Sequence, residues 1–264
     1  KVLFVSAQSE DSLKELLGSY QEVIAATKTS ELPGLFAAIG ANRHHMRHRF
    51  VIDGRDPAAV NAEIDNYLND QIPEVAAVGR TFQNQAKTAF VFSGNGSQWV
   101  GMGVNALKNS ANFRRHFEII DALYKTIAQF SLLDLLTDPE LETKLADTRI
   151  AQPLLFATQI SLANSLTEIG LMPTVTYGHS IGEISAAHFA GAISLVDAVK
   201  IVFLRSKYQH ALAGKGGMAA VALGAEDAVE MAAAAGLENI VCGAFNSPKS
   251  STVSGPNDEI AVFR

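Results

Sequence analysis

The chain has 264 residues, 48% hydrophobic and 18% charged, enough to bury a sizeable core in one or two domains. Its formal charge of −6 argues against nucleic acid as a partner, because a phosphate footprint needs a basic face. No apolar run approaches the roughly 18 residues a membrane helix requires, and the single cysteine, Cys242, allows no internal disulfide, so a reducing, cytoplasmic setting is expected.

The opening KVLFVSAQSE lacks the long apolar region and cleavage site of a signal peptide and reads as a strand, VLFVS, entering a domain directly. Ser9 or Ser12 can cap the helix that follows, Ser12 with Glu15 fitting a capping box. Leu13, Leu16, Leu17, Tyr20, Val23 and Ile24 then recur at helical spacing. A short helix is predicted over 32–39, then a basic run, RHHMRHR, and a strand, FVID. Asp56 before Pro57 starts another helix, with Val60, Ile64, Tyr67 and Leu68 as its stripe. Residues 70–87 are polar, show no periodicity and read as a connector.

TAFVF (88–92) reads as a buried strand and SGNGSQWVGMG (93–103) as a glycine-rich loop. Phe113, Phe117, Ile120, Leu123 and Ile127 form a helical stripe, and 153–166 is apolar almost all round, as in a buried helix. TVTY (174–177) is the next strand, and Ser194 caps a long helix reaching about Leu212. Strands alternating with helices imply a largely parallel sheet. After a flexible GKGG, MAAVAL reads as a strand, 226–235 as a helix, and IVCGAF and SSTVSG as strands joined by an NSPK turn. That β-α-β-β order begins a small split α/β unit. The last residues, NDEIAVFR, continue in a helix-like pattern, and both ends suggest a piece of something larger.

GHSIG (178–182) matches the nucleophile elbow G-x-S-x-G, and its context is right, with a strand before and a helix after. Such a turn needs glycine on both sides and holds Ser180 on a strained corner with its hydroxyl exposed. The helix start aims backbone N–H groups, Ile181 first, at a developing oxyanion. The loop 93–103 suits a plain turn, a phosphate cradle or an oxyanion donor, but has no Gly-Lys-Ser/Thr of a Walker sequence. Arg205 lies on an otherwise apolar helix. Burying it requires an anion, either a structural carboxylate or a substrate's.

Together these segments resemble the acyltransferase domain of modular type I polyketide synthases, relatives of malonyl-CoA:acyl carrier protein transacylases. FVFSGNGSQWVGMG resembles the family's opening glycine-rich segment. GHSIGE with SAAHFAGAISLVDAVKIVFLRS resembles the nucleophile motif and arginine helix, and AFNSPKSSTVSG the small-subdomain hairpin. The first 85 or so residues resemble the ketosynthase-to-acyltransferase linker. The resemblance implies an α/β fold: a linker domain (1–85), a parallel-sheet, hydrolase-like large subdomain (86–215), and the start of a ferredoxin-like small subdomain (216–264).

Residue by residue, the resemblance implies Ser180 as nucleophile, Ile181 and Asn95 as backbone oxyanion donors, and Arg205 as binder of the acyl unit's free carboxylate. His179 and Asn246 match positions near the cleft. Asn95 stands where the family has glutamine, and Ser93 where it usually has proline, which is expected to loosen the loop entry slightly. Ile181 resembles malonyl-selective members. The implied chemistry is transfer of a malonyl-type unit from coenzyme A to the phosphopantetheine of an acyl carrier protein, beside a ketosynthase, with no metal and no permanently bound cofactor.

A serine nucleophile needs a proton acceptor. Of the seven histidines, 44, 45 and 48 sit in the basic run, 116 beside Arg114 and Arg115, 179 next to the serine, 188 two turns along, and 210 late on another helix. None is a good base, and the resemblance implies a histidine beyond residue 264. A serine hydrolase of the α/β-hydrolase class would share the elbow but has no use for Arg205. A docking module with an inactive acyltransferase half is the non-enzymatic alternative.

Overall fold

Leu3, Val5 and Ala7 turn to one side of β1 (Val2–Ala7) and are buried, while the residues between them are not. The protein is described as a computed structural model covering residues 2–81 and 87–263. It divides into two units, Lys1–Ala86 and Lys87–Arg264.

In the first unit, β1 pairs antiparallel with β2 (His48–Asp53), which pairs antiparallel with β3 (Ala77–Arg80). Around them lie α1 (Glu10–Ala26), α2 (Leu32–Ala41) and α3 (Pro57–Leu68). The cap of α1 is Ser9, whose hydroxyl accepts from the Ser12 N–H at 3.2 Å; Ser12 is inside the helix, so its expected capping box with Glu15 does not form. Asp56 caps α3 as its sequence predicts, accepting from the Ala58 and Ala59 N–H groups. Leu13, Leu17, Phe36, Val60 and Ile64 meet Leu3 and Phe50 in one core.

β3 corrects the reading of 70–87 as a connector. All four of its residues are exposed, so it carries no apolar alternation, and it is held by pairing at the sheet edge. Its approach is fixed by Glu63, a buried carboxylate that accepts from the Val75 and Ala76 N–H groups at 3.0 and 3.1 Å. Residues 82–86 of that stretch lie outside the described residues.

The second unit opens with β4 (Ala89–Phe92), which pairs in parallel with β5 (Val175–Gly178), Phe92 opposite Gly178. Between them run α4 (Val104–Asn109), α5 (Ala111–Lys125), α6 (Leu132–Leu136), α7 (Leu141–Lys144) and α8 (Thr148–Glu168). After β5 come α9 (Ile181–Phe189) and α10 (Leu195–Ala211), the latter capped by Ser194 as expected. Phe113, Phe117, Tyr124, Leu154, Phe156 and Val202 lock α5, α8 and α10 together. β4 is less buried than expected. Phe90 and Phe92 pack on Phe189 of α9, whereas Val91, on the other face, is 75% exposed.

The same unit continues through β6 (Gly217–Val221), α11 (Ala225–Ala234), β7 (Val241–Ser247), β8 (Ser250–Gly255) and α12 (Asn257–Phe263). The strands form an antiparallel sheet in the order β6-β8-β7 over a small core of Ala219, Ala228, Ala232, Val253 and Ile260. Among the described residues no helix is long and apolar enough to cross a membrane, and no cluster of His, Cys, Asp and Glu could hold a metal.

Candidate active site

Ser180 sits at the corner between β5 and α9 with φ +56° and ψ −119°, a backbone conformation that side-chain-bearing residues rarely adopt. The corner is possible because its flanking residues are glycines. A Cβ on Gly178 would lie 2.1 Å from the Gly182 carbonyl oxygen, and one on Gly182 2.1 Å from the Phe92 carbonyl oxygen. The turn is closed by the Gly182 N–H bonding the His179 oxygen and the Glu183 N–H bonding the Ser180 oxygen. Although Ser180 occupies the N-cap position of α9, its hydroxyl does not cap the helix. It faces Arg205 instead.

The Arg205 Nη2 donates to Ser180 Oγ at 2.9 Å, and its Nη1 donates to Gln152 Oε1 at 2.5 Å and Gln209 Oε1 at 3.2 Å. Gln152 is buried on α8, 1% exposed, and its amide also donates to Gln209 Oε1. No carboxylate forms an ion pair with Arg205 among the described residues, so the structural ion pair left open by the sequence does not form. Burial holds the guanidinium below its usual pKa, partly offset by the field of Glu183 on the first turn of α9. The half-buried cation thus has neutral partners only.

The glycine-rich loop reaches the same corner. The His179 N–H bonds the Phe92 oxygen at 3.1 Å, and a Cβ on Gly94 would stand 3.2 Å from the Ser180 Cβ. The N–H groups of Asn95, next in that loop, and of Ile181, first in α9, have no hydrogen-bond partner among the described residues. Ser93 does not loosen the entry. Its carbonyl and hydroxyl accept from the Gln159 amide, at 2.8 and 3.2 Å, and Ser97 donates to its hydroxyl. Gln159 is in turn held by Ser185 of α9 at 2.8 Å, so α8 ties loop and elbow together.

The ring Nε2 of His179 is 3.0 Å from Asn246 Oδ1, and Asn246 donates to Thr252 on β8, which anchors the elbow to the small sheet. The other histidines of this unit are engaged elsewhere: His116 with Glu168, His188 with the Ile193 carbonyl, and His210 with Asp147. Of the sequence-expected residues, Ser180 and Arg205 meet directly, while Ile181, Asn95, His179 and Asn246 gather around them. Gln152, Gln159 and Gln209 escaped the sequence reading. The available signal was a polar amide within, or just before, helices expected to be mostly apolar.

These features coincide with what known proteins show. The family described as acyl transferase domain matches residues 89–263. Mycoketide-CoA synthase of Mycobacterium tuberculosis is 36% identical over 255 residues, 95% of this chain but 6% of that protein. The acyltransferase domain from module 8 of the salinomycin polyketide synthase superposes with a TM-score of 0.87 at 32% identity, covering 99% of this chain and 62% of that one. The acyltransferase domain of SpnD, solved in complex with 2-(pent-4-yn-1-yl)malonyl, gives a TM-score of 0.78 at 26% identity, covering 99% and 60%. The chain belongs to the acyl transferase domain family, in the form carried by modular polyketide synthases. Its fold is α/β, and it spans a small fraction of its curated relatives' length.

Proposed function

We propose that this acyltransferase loads a malonyl-type extender unit from coenzyme A onto the phosphopantetheine of an acyl carrier protein, through an acyl-enzyme on Ser180. One observation carries this reading: a half-buried guanidinium without a carboxylate partner stands 2.9 Å from the nucleophile oxygen. In a malonyl ester of Ser180 the free carboxylate is one methylene from the ester carbonyl, within reach of Arg205. The complex of the SpnD domain with 2-(pent-4-yn-1-yl)malonyl supports the same substrate class. A simple hydrolase would leave Arg205 without a role.

In the first half-reaction Ser180 Oγ attacks the thioester carbonyl. An O–C bond forms, the C–S bond breaks, and coenzyme A leaves as its thiol. The Ile181 and Asn95 N–H groups are the assigned donors to the tetrahedral oxyanion. Arg205 donates to Oγ rather than accepting from it, which leaves the hydroxyl proton free for a base and favours the alkoxide electrostatically. The phosphopantetheine thiol then attacks the acyl-enzyme and Ser180 is regenerated. His116, His188 and His210 are occupied elsewhere and His179 holds Asn246, which supports a histidine beyond residue 264 as the proton acceptor.

Residues 1–85 are proposed as the linker toward a ketosynthase, 86–215 as the large subdomain and 216–264 as part of the ferredoxin-like one; the division after residue 86 and the antiparallel sheet β6-β8-β7 support this. No permanently bound cofactor or metal is assigned. The test is intact mass after mixing malonyl-CoA with a chain extended past residue 264 to include the proposed histidine. A malonyl adduct is expected on the wild type, none on Ser180→Ala, and a weakened one on Arg205→Ala. An adduct retained by Ser180→Ala would overturn the assignment.

A further inference from the structure

The guanidinium of Arg205 is not free to present any of its edges. Arginine carries donors only, so both Gln152 and Gln209 must turn their amide oxygens toward it. They do so at the same nitrogen: Nη1 donates to both, using its two hydrogens. Gln209 Oε1 receives a further bond from the Gln152 amide, so the three side chains close a small ring that is satisfied in one orientation. Gln209 lies one turn beyond Arg205 on α10, and Gln152 is fixed by burial in α8. Nε has no hydrogen-bond partner among the described residues, and Nη2 gives one hydrogen to Ser180 Oγ. What remains is the lateral edge, Nε with the second hydrogen of Nη2.

We propose that Gln209, acting with Gln152, is a positioning residue that saturates Nη1 and so commits Arg205 to grip the substrate carboxylate through its Nε/Nη2 edge. This inference rests on the reading that Arg205 binds a carboxylated acyl unit. Two parallel N–H donors on that edge match the two oxygens of a carboxylate. Because Nη2 also touches Ser180 Oγ, this edge places the carboxylate beside the nucleophile rather than beyond it. A guanidinium released from Gln209 could rotate and offer its end-on edge, which moves the carboxylate away from the reacting carbonyl. Gln209 therefore governs selectivity for acyl units with a free carboxylate, without touching the substrate.

The test is calorimetric titration of the protein with two unreactive thioester mimics, malonyl-carba(dethia)-CoA and acetyl-carba(dethia)-CoA. The wild type is expected to prefer the malonyl mimic. Gln209→Leu removes the acceptor and is expected to reduce that preference about tenfold to a hundredfold, the worth of one hydrogen bond to a charged group. Gln209→Glu places a carboxylate against Nη1, neutralises the site and is expected to erase the preference. Affinity for the acetyl mimic should stay within about twofold in both, a result that loss of structure would not give. An unchanged malonyl-to-acetyl ratio in both variants, or an equal fall for both mimics, would overturn the proposal while leaving the role of Arg205 intact. A wild type with no preference would overturn both.

Discussion

Two carbonyl oxygens decide what can flank Ser180. Any side chain on Gly182 drives a Cβ into the Phe92 oxygen at 2.1 Å, and because that oxygen belongs to backbone, no rotamer relieves it. Gly182→Ala is expected to cost about 3 kcal/mol, at the upper end of overpacking penalties, with a lower urea midpoint as the readout. The positive φ of Ser180 is a separate strain, of about 1–3 kcal/mol, borne by a residue whose hydroxyl is spent on neither cap nor turn. This arrangement was legible from GHSIG because the steric demand of the corner is local. The surroundings of Arg205 were not. Gln152 precedes Pro153 in a stretch whose neighbours are apolar, and nothing in its spacing announces that its oxygen meets a residue more than fifty positions away. Likewise Ser93 read as a loosened entry, because Gln159, which ties it down, is remote in sequence.

The starts of α3 and α10 are legible in the sequence and the edge strand is not, for one reason. Caps are written in three or four adjacent residues: Asp56 accepts from the Ala58 and Ala59 N–H groups, and Ser194 from the Asp197 N–H. β3 is written in its partners. Its four residues are exposed, and what guides it in is the carboxylate of Glu63. Glu63→Ala leaves the Val75 and Ala76 N–H groups without their acceptor, and a loss of about 1–3 kcal/mol is expected by chemical denaturation. At the start of α8, Asp147 accepts from the Arg149 N–H, and the Arg149 side chain holds its carboxyl below the usual range. A carboxylate depressed in the folded state stabilises above its unfolded pKa, and that contribution is lost as pH falls through the folded value. Stability should therefore decline below about pH 4, and Asp147→Asn should flatten that part of a plot of melting temperature against pH.

Over the whole molecule, each unit owns a core. Leu3, Leu13, Phe36, Phe50 and Ile64 complete the first without any residue of the second. Residues 1–86 expressed alone are therefore expected to unfold in a single cooperative transition by circular dichroism; a non-cooperative melt would show that this core does not suffice. The α/β class was evident from alternating strands and helices, whereas the one-sided exposure of β4 was not. An apolar run such as AFVF looks the same whether one face or two are covered.

The register of the parallel pair also sets an order of events. Ala89 lies opposite Val175 in the pair, and five helices are threaded between those partners. Closing so long a loop costs only about 0.6 kcal/mol more per doubling of its length, but it must happen before the pairing returns anything. The corner that strains Ser180 leans on the Phe92 carbonyl from one side of that loop and on the Gly182 carbonyl from the other. The Phe92 buttress is not in place until β4 and β5 have paired. The nucleophile is thus assembled late, and a half-folded chain carries an ordinary serine.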